Sequence, residues 1–164
     1  MKLLHYNEEP VLKLEERSYD QKEQRWQAKP VGLWLSVEEV ESEDHNYNWK
    51  QWCEAEGYRL QTLKCAHEVI LKEDANILHL KTAKEVFEFT KKYQLKTREL
   101  EADWHWDTYQ ITWDIVKQQY QGIIISPYQW DCRLAIESSW YYGWDCSSGC
   151  VWDLKCIESF TRIE

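Results

Sequence analysis

Residues 120–153, YQGIIISPYQWDCRLAIESSWYYGWDCSSGCVWD, hold Trp130, Trp140, Trp144 and Trp152 together with Tyr120, Tyr128, Tyr141 and Tyr142. Cys132, Cys146 and Cys150 and the glycines Gly122, Gly143 and Gly149 fall in the same stretch. Each ring joins a large apolar body to one polar handle, so burying it is favourable once the handle finds a partner. Punctuated by glycine, such a cluster reads as the wall of a pocket or the underside of a core, and it sets the centre of the fold. Within it Ile123-Ile124-Ile125 reads as a buried strand, and a last strand is expected over residues 149–154.

Working outward, Thr82 followed by Glu85 at the capping-box spacing predicts a helix through Lys92 with Val86, Phe89 and Tyr93 on one face. A short helix is expected over residues 112–119, with Ile111, Ile115 and Val116 inward and Gly122 ending it. Trp49, Trp52 and Cys53 lie at helical spacing before Gly57, a natural stop. Residues 1–6, carrying His5 near the end, read as a first strand and residues 33–37 as a second. Residues 58–65 and 77–80 supply two more. Ser36 ahead of Glu38 and Glu39 reads as a helix cap, and Trp34 is expected in the core. Residues 7–29 are a polar helix or a long loop. Residues 95–108 are an exposed connection in which Trp104-His105-Trp106 forms a recognition loop or a lid. Short strands interrupted by helices, with no regular βαβ alternation and no GxGxxG turn, predict one compact α+β domain spanning residues 1–164, its sheet mixed or antiparallel.

Composition narrows the function. At 164 residues the chain is long enough to bury a core without staples. The net charge of -9 repels a phosphate backbone at long range and argues against a nonspecific nucleic-acid coat. No apolar run reaches membrane-spanning length and the first residues hold no export signal, so a cytoplasmic protein with no membrane partner is expected. In that compartment the six cysteines are read as reduced, buried thiols. Cys132, Cys146, Cys150 and Cys156 lack the two-residue knuckle of a zinc site, and no metal is expected. The 11 tryptophans exceed what a core alone needs, which favours ligand contact. P-loop, HExxH, GxSxG and EF-hand patterns are absent from the sequence.

His5 on a first strand, Gly32-Leu33-Trp34-Leu35-Ser36 as a second, and Tyr120-Gln121-Gly122-Ile123 leading to Val151-Trp152-Asp153 resemble the ADP-ribosyltransferase fold. The chain is also similar, over nearly its whole length, to uncharacterised bacterial and phage proteins sharing Gly-Leu-Trp-x-Ser, Pro-Tyr-Gln-Trp and Trp-Tyr-Tyr-Gly-Trp-Asp segments, a similarity that brings no activity with it. The first resemblance implies an NAD-dependent mono-ADP-ribosyltransferase modifying a macromolecule, protein or nucleic acid, in a toxin, defence or phage counter-defence role. An antitoxin or inhibitor would be a further partner. His5 would then meet the adenosine-side ribose of NAD, Ser36 would supply the second-strand hydroxyl, and Asp145 would orient the ribose under attack. The family's pattern places Glu directly before the final strand, where this chain has Ser147-Ser148-Gly149. Asp145 is the nearest carboxylate, with Glu137 and Asp131 behind it. Tyr128, Tyr141 and Trp144 would sandwich the nicotinamide and exclude water.

Each of these residues also has a plainer reading: His5 as a structural hydrogen bond, Asp145 as an Asx turn, the rings as core. Two further functions stay open. One is a non-catalytic nucleotide- or protein-binding module that keeps the aromatic pocket, and the other is a zinc-bound adaptor built on the four late cysteines.

Overall fold

In the computed structural model residues 1–11, 13–21, 29–39, 46–96 and 109–163 are described, so the Trp104-His105-Trp106 loop lies outside the described residues. The strands are β1 (Leu3–Asn7), β2 (Leu33–Val37), β3 (Cys65–Leu71), β4 (Ile77–Leu80), β5 (Gln94–Lys96), β6 (Tyr109–Ile111), β7 (Gly122–Ile125), β8 (Ser148–Val151) and β9 (Ile157–Ile163). Between them run helices α1 (Trp49–Glu56), α2 (Ala83–Tyr93), α3 (Trp113–Gln119) and α4 (Trp130–Arg133), with 3-10 segments at Leu60–Leu63, Ile136–Gly143 and Leu154–Cys156. The seven-stranded main sheet has the order β4-β7-β8-β2-β1-β3-β9, and β5 and β6 form a separate two-stranded ribbon. β4 and β7 are parallel and every other neighbouring pair is antiparallel. The fold is therefore α+β with one mixed sheet, as the sequence predicts.

Both faces of the sheet are covered, which is why β7 (GIII) and β8 (SGCV) are buried at every position. One face packs Val86, Phe89 and Tyr93 of α2 and Val116 of α3 against Ile123 and Ile125, together with Trp113, Trp140, Tyr141, Trp144 and Trp152. The other gathers Leu3, Leu35, Val37, Val69, Ile124 and Val151 under Leu154 and Cys156. Gly149 lets β8 lie close on β7, since a Cβ there would fall 2.8 Å from the Ile123 carbonyl oxygen. The capping box of α2 is formed as expected: Thr82 Oγ1 accepts from the Glu85 amide and Glu85 Oε2 accepts from the Thr82 amide.

Several expectations change. Residues 58–65 do not form a strand. Gly57 and Arg59 both take left-handed backbone, at φ 62° and 47°, and the chain coils through Leu60–Leu63 before β3 begins at Cys65. Ser36 caps no helix at Glu38, which instead accepts from Tyr6 Oη and Asn48 Nδ2 through its two carboxylate oxygens. Ile115 is 43% exposed rather than inward. Gly122 opens β7 rather than closing α3, and β8 is followed by a further strand, β9. Among the described residues no helix is long and apolar enough to cross a membrane.

Candidate functional site

The main sheet parts between its first two strands. The described pairing of β1 with β2 covers Leu3–Val37 and Leu4–Ser36. Beyond that point β1 continues along β3 as far as Asn7, while β2 continues along β8 as far as Leu33. Where the ladder stops, the Trp34 carbonyl accepts a hydrogen bond from His5 Nδ1 at 2.9 Å instead of from a β1 amide. A cleft of about 580 Å³ opens at this split, lined by His5, Ser36, Trp144 and Asp145 from the sheet side and by Trp49, Trp52, Tyr58 and Arg59 from α1 and the turn after it.

The sequence-derived site residues divide. His5, Ser36, Asp145 and Trp144 line the same cleft. Tyr128 and Tyr141 do not: they are 5% and 0% exposed and belong to the core behind it. Tyr128 Oη donates to the Trp144 carbonyl at 2.5 Å, and Tyr141 Oη accepts from the Gln129 amide at 3.1 Å, so both handles are spent on holding the 128–144 segment together. Neither ring can sandwich a ligand. Asp131 and Glu137, the carboxylates behind Asp145, are exposed and outside the lining.

A carbonyl oxygen can only accept, so His5 Nδ1 carries the proton in its bond to Trp34. Burial lowers the pKa of this ring, the carbonyl bond opposes that shift, and His67 adds to it. A neutral ring with its proton on Nδ1 leaves Nε2 as an acceptor. Ser36 Oγ accepts from the Trp49 amide at 3.0 Å, which pins the start of α1 to β2 and leaves the hydroxyl proton to donate elsewhere. Asn48 caps the same helix through a capping box with Gln51.

Asp145 is placed by Arg133. One guanidinium nitrogen, Nη1, reaches Asp145 Oδ1 at 3.2 Å, Tyr128 Oη at 2.7 Å and the Trp144 carbonyl at 3.1 Å. The guanidinium also lies over the Trp130 and Tyr142 rings. Lys29 lines the cleft with its ammonium 5.1 Å from the Trp34 ring centre. Burial lowers its pKa and the charge of Asp145 pulls the other way.

Trp34, expected in the core, is half-buried and lines the cleft, because positions 34 and 36 share one face of β2. It meets Trp144 edge-on at 4.9 Å. Trp49, Trp52 and Tyr58 form a second ring set at the cleft, the two indoles stacked at 5.3 Å and Tyr58 edge-on to Trp52 at 5.4 Å. The available signal was two tryptophans three apart on a short helix whose other residues are mostly polar, ended by Gly57. Among the described residues, two buried polar side-chain atoms lack a partner, Trp144 Nε1 and His67 Nδ1. Trp144 lines the cleft, whereas His67, opposite His5 in the β1–β3 register, is fully buried outside the lining.

All six cysteines are free and buried. Cys132 and Cys150 direct their sulfurs to separate carbonyls, those of Ala83 and Pro30, and among the described residues no three His, Cys, Asp or Glu side chains are grouped to hold a metal ion. Burial pushes the Cys146 thiol up to about 12, which keeps it protonated and unreactive near neutral pH. Set against protein-family profiles, curated proteins and solved structures, the chain matches none of them.

Proposed function

We propose that the chain is an NAD-dependent mono-ADP-ribosyltransferase-like protein whose NAD site is the cleft between β1 and β2. Its acceptor would be a macromolecule, protein or nucleic acid, in a toxin, defence or phage counter-defence setting where an antitoxin or inhibitor is an expected partner. One observation carries the reading: His5, Ser36, Asp145 and Trp144 line a single cleft from β1, β2 and the segment leading into β8, which are neighbours in the sheet. These are the strand positions that the family resemblance implies for a ribose contact, a second-strand hydroxyl and a carboxylate near the last strands.

The polar groups suit such a ligand. His5 Nε2 can accept from a ribose hydroxyl and Ser36 can donate. Lys29 and Arg59 bring positive charge to the lining, as a diphosphate requires. Breaking a glycosidic bond to ribose develops positive charge on the sugar, which a fixed carboxylate such as Asp145 stabilises.

Incubation with labelled NAD and cell lysate should mark a product. Asp145→Ala should lower labelling by about 10² to 10³ while circular dichroism stays unchanged. If the intact protein neither labels anything nor gives heat with NAD in calorimetry, the reading fails. A second reading has its own observation: the Asp145 carboxylate is already paired with Arg133, and Ser36 Oγ is already bonded to the Trp49 amide. A non-catalytic nucleotide- or protein-binding module would show affinity in calorimetry and no labelled product.

A further inference from the structure

Strand β9 closes one edge of the main sheet: β3 pairs with it on one side, and among the described residues no strand pairs with the other. An open row of backbone N–H and C=O groups is a template for another strand. Over its seven residues β9 reads IESFTRI, and about Phe160 this sequence is its own complement. Laid antiparallel on a copy of itself, Glu158 faces Arg162, Ser159 faces Thr161, Ile157 faces Ile163, and Phe160 meets Phe160. A two-fold axis makes every such contact occur twice, apart from the one on the axis. Opposite charges, paired hydroxyls and paired aromatics are the cross-strand combinations that favour pairing.

Edge strands usually deter a second copy with lysine, proline or charges that repel their own kind. β9 has no lysine or proline, and its two charges, both exposed, are of opposite sign at mirrored positions. The far edge of the sheet, β4, is four residues long and offers no such charge pair. The register against β3 skips Glu158, since Ile70 faces Ser159 and Leu71 faces Ile157, so a bulge bends β9 at Glu158 and the Phe160 and Ser159–Thr161 pairs are the regular part of the seam.

We propose that this chain self-associates by antiparallel pairing of β9 with β9 of a second copy, Phe160 lying on the two-fold axis. The seam then abuts the cleft from behind, since the Phe160 ring stacks on His67 at 4.8 Å and lies 6.0 Å from His5. So short a strand-to-strand contact is small for a stable interface, and the dimer is expected to form in the micromolar range.

Sedimentation equilibrium from about 1 to 100 µM covers that range. The intact chain should pass from the 20.0 kDa monomer to twice that mass. Arg162→Glu and Glu158→Arg each set like charges across both mirrored positions and should weaken the dimer at least about tenfold, with circular dichroism unchanged. The double variant Glu158→Arg, Arg162→Glu restores opposite charges and should restore the dimer. A chain that stays monomeric throughout the range, single reversals that dimerise like the parent, or a double variant that stays monomeric would each overturn the proposal.

Discussion

The aromatic rings of this protein fall into two sets on either side of Trp144. Behind it, each fully buried ring with a described bond spends its polar handle within the protein. Trp140 Nε1 donates to Thr90 Oγ1 at 2.7 Å, Trp152 Nε1 to the Tyr120 carbonyl at 2.6 Å, and Tyr128 Oη to the Trp144 carbonyl. In front of it Trp34, Trp49, Trp52 and Tyr58 are half-buried or exposed and face the cleft. Trp144 belongs to both: its ring is packed into the core cluster, yet its N–H has no partner. Identical residue types thus pack the core on one side and line an open cleft on the other, and the fate of the polar handle distinguishes the two settings.

The comparison breaks first on stability. Trp140→Ala removes a 1%-exposed indole that contacts Phe89, Trp113 and Tyr141, and should cost about 3–5 kcal/mol in urea unfolding. Trp52→Ala, at the cleft, should cost roughly 1 kcal/mol and act mainly on ligand affinity. Equal losses at the two positions would mean that the front rings are core after all.

A finer version uses single hydroxyls. Tyr141→Phe leaves the half-buried Gln129 amide without its acceptor and should cost about 1–2 kcal/mol. Tyr58→Phe, on a ring 46% exposed, should stay within about 0.5 kcal/mol of the parent. Unfolding midpoints measured side by side on the two variants test whether handles in the core are structural and those at the cleft are not.

This division also explains what the sequence could and could not reveal. The strands around His5 and Ser36, the capping box of α2 and the apolar run of β7 are local patterns, and each is legible from a few neighbouring residues. The duty of a ring is not local. The Trp140–Thr90 bond spans 50 positions, Trp152–Tyr120 spans 32, and Tyr128–Trp144 spans 16. Local sequence therefore points Tyr128 and Tyr141 to the pocket although they hold the core together. It points Trp34 to the core although that ring also lines the cleft. Arg133, which fixes Asp145, carries no signal at all until α4 brings it beside the carboxylate. β9 is not legible because an edge strand, half exposed and carrying two charges, lacks clean apolar alternation. Residues 58–65 do alternate, but two left-handed residues turn the chain before a strand can form.

The smallest expected effect concerns His5, which sits where the two regions meet. Its unfolded-state value is about 6.5, and burial in the folded protein lowers it, with the Trp34 carbonyl bond opposing and His67 reinforcing the shift. Above pH 6.5 the ring is neutral in both states and contributes no pH dependence. As the pH falls below 6.5 the unfolded chain takes up a proton that the folded chain resists, so stability declines until the folded-state value is reached. One such ring can contribute a slope of at most about 1.4 kcal/mol per pH unit. His79 shifts in the same direction through burial and the charge of Lys81, so part of the decline must persist without His5. Urea unfolding of the parent and of His5→Gln between pH 7.5 and 5 (~0.5-unit steps) should therefore give parallel values at the upper end and a shallower fall for the variant below pH 6.5. Identical slopes would mean that the ring is not held neutral, and Nε2 would then be a donor rather than the acceptor a ribose hydroxyl needs.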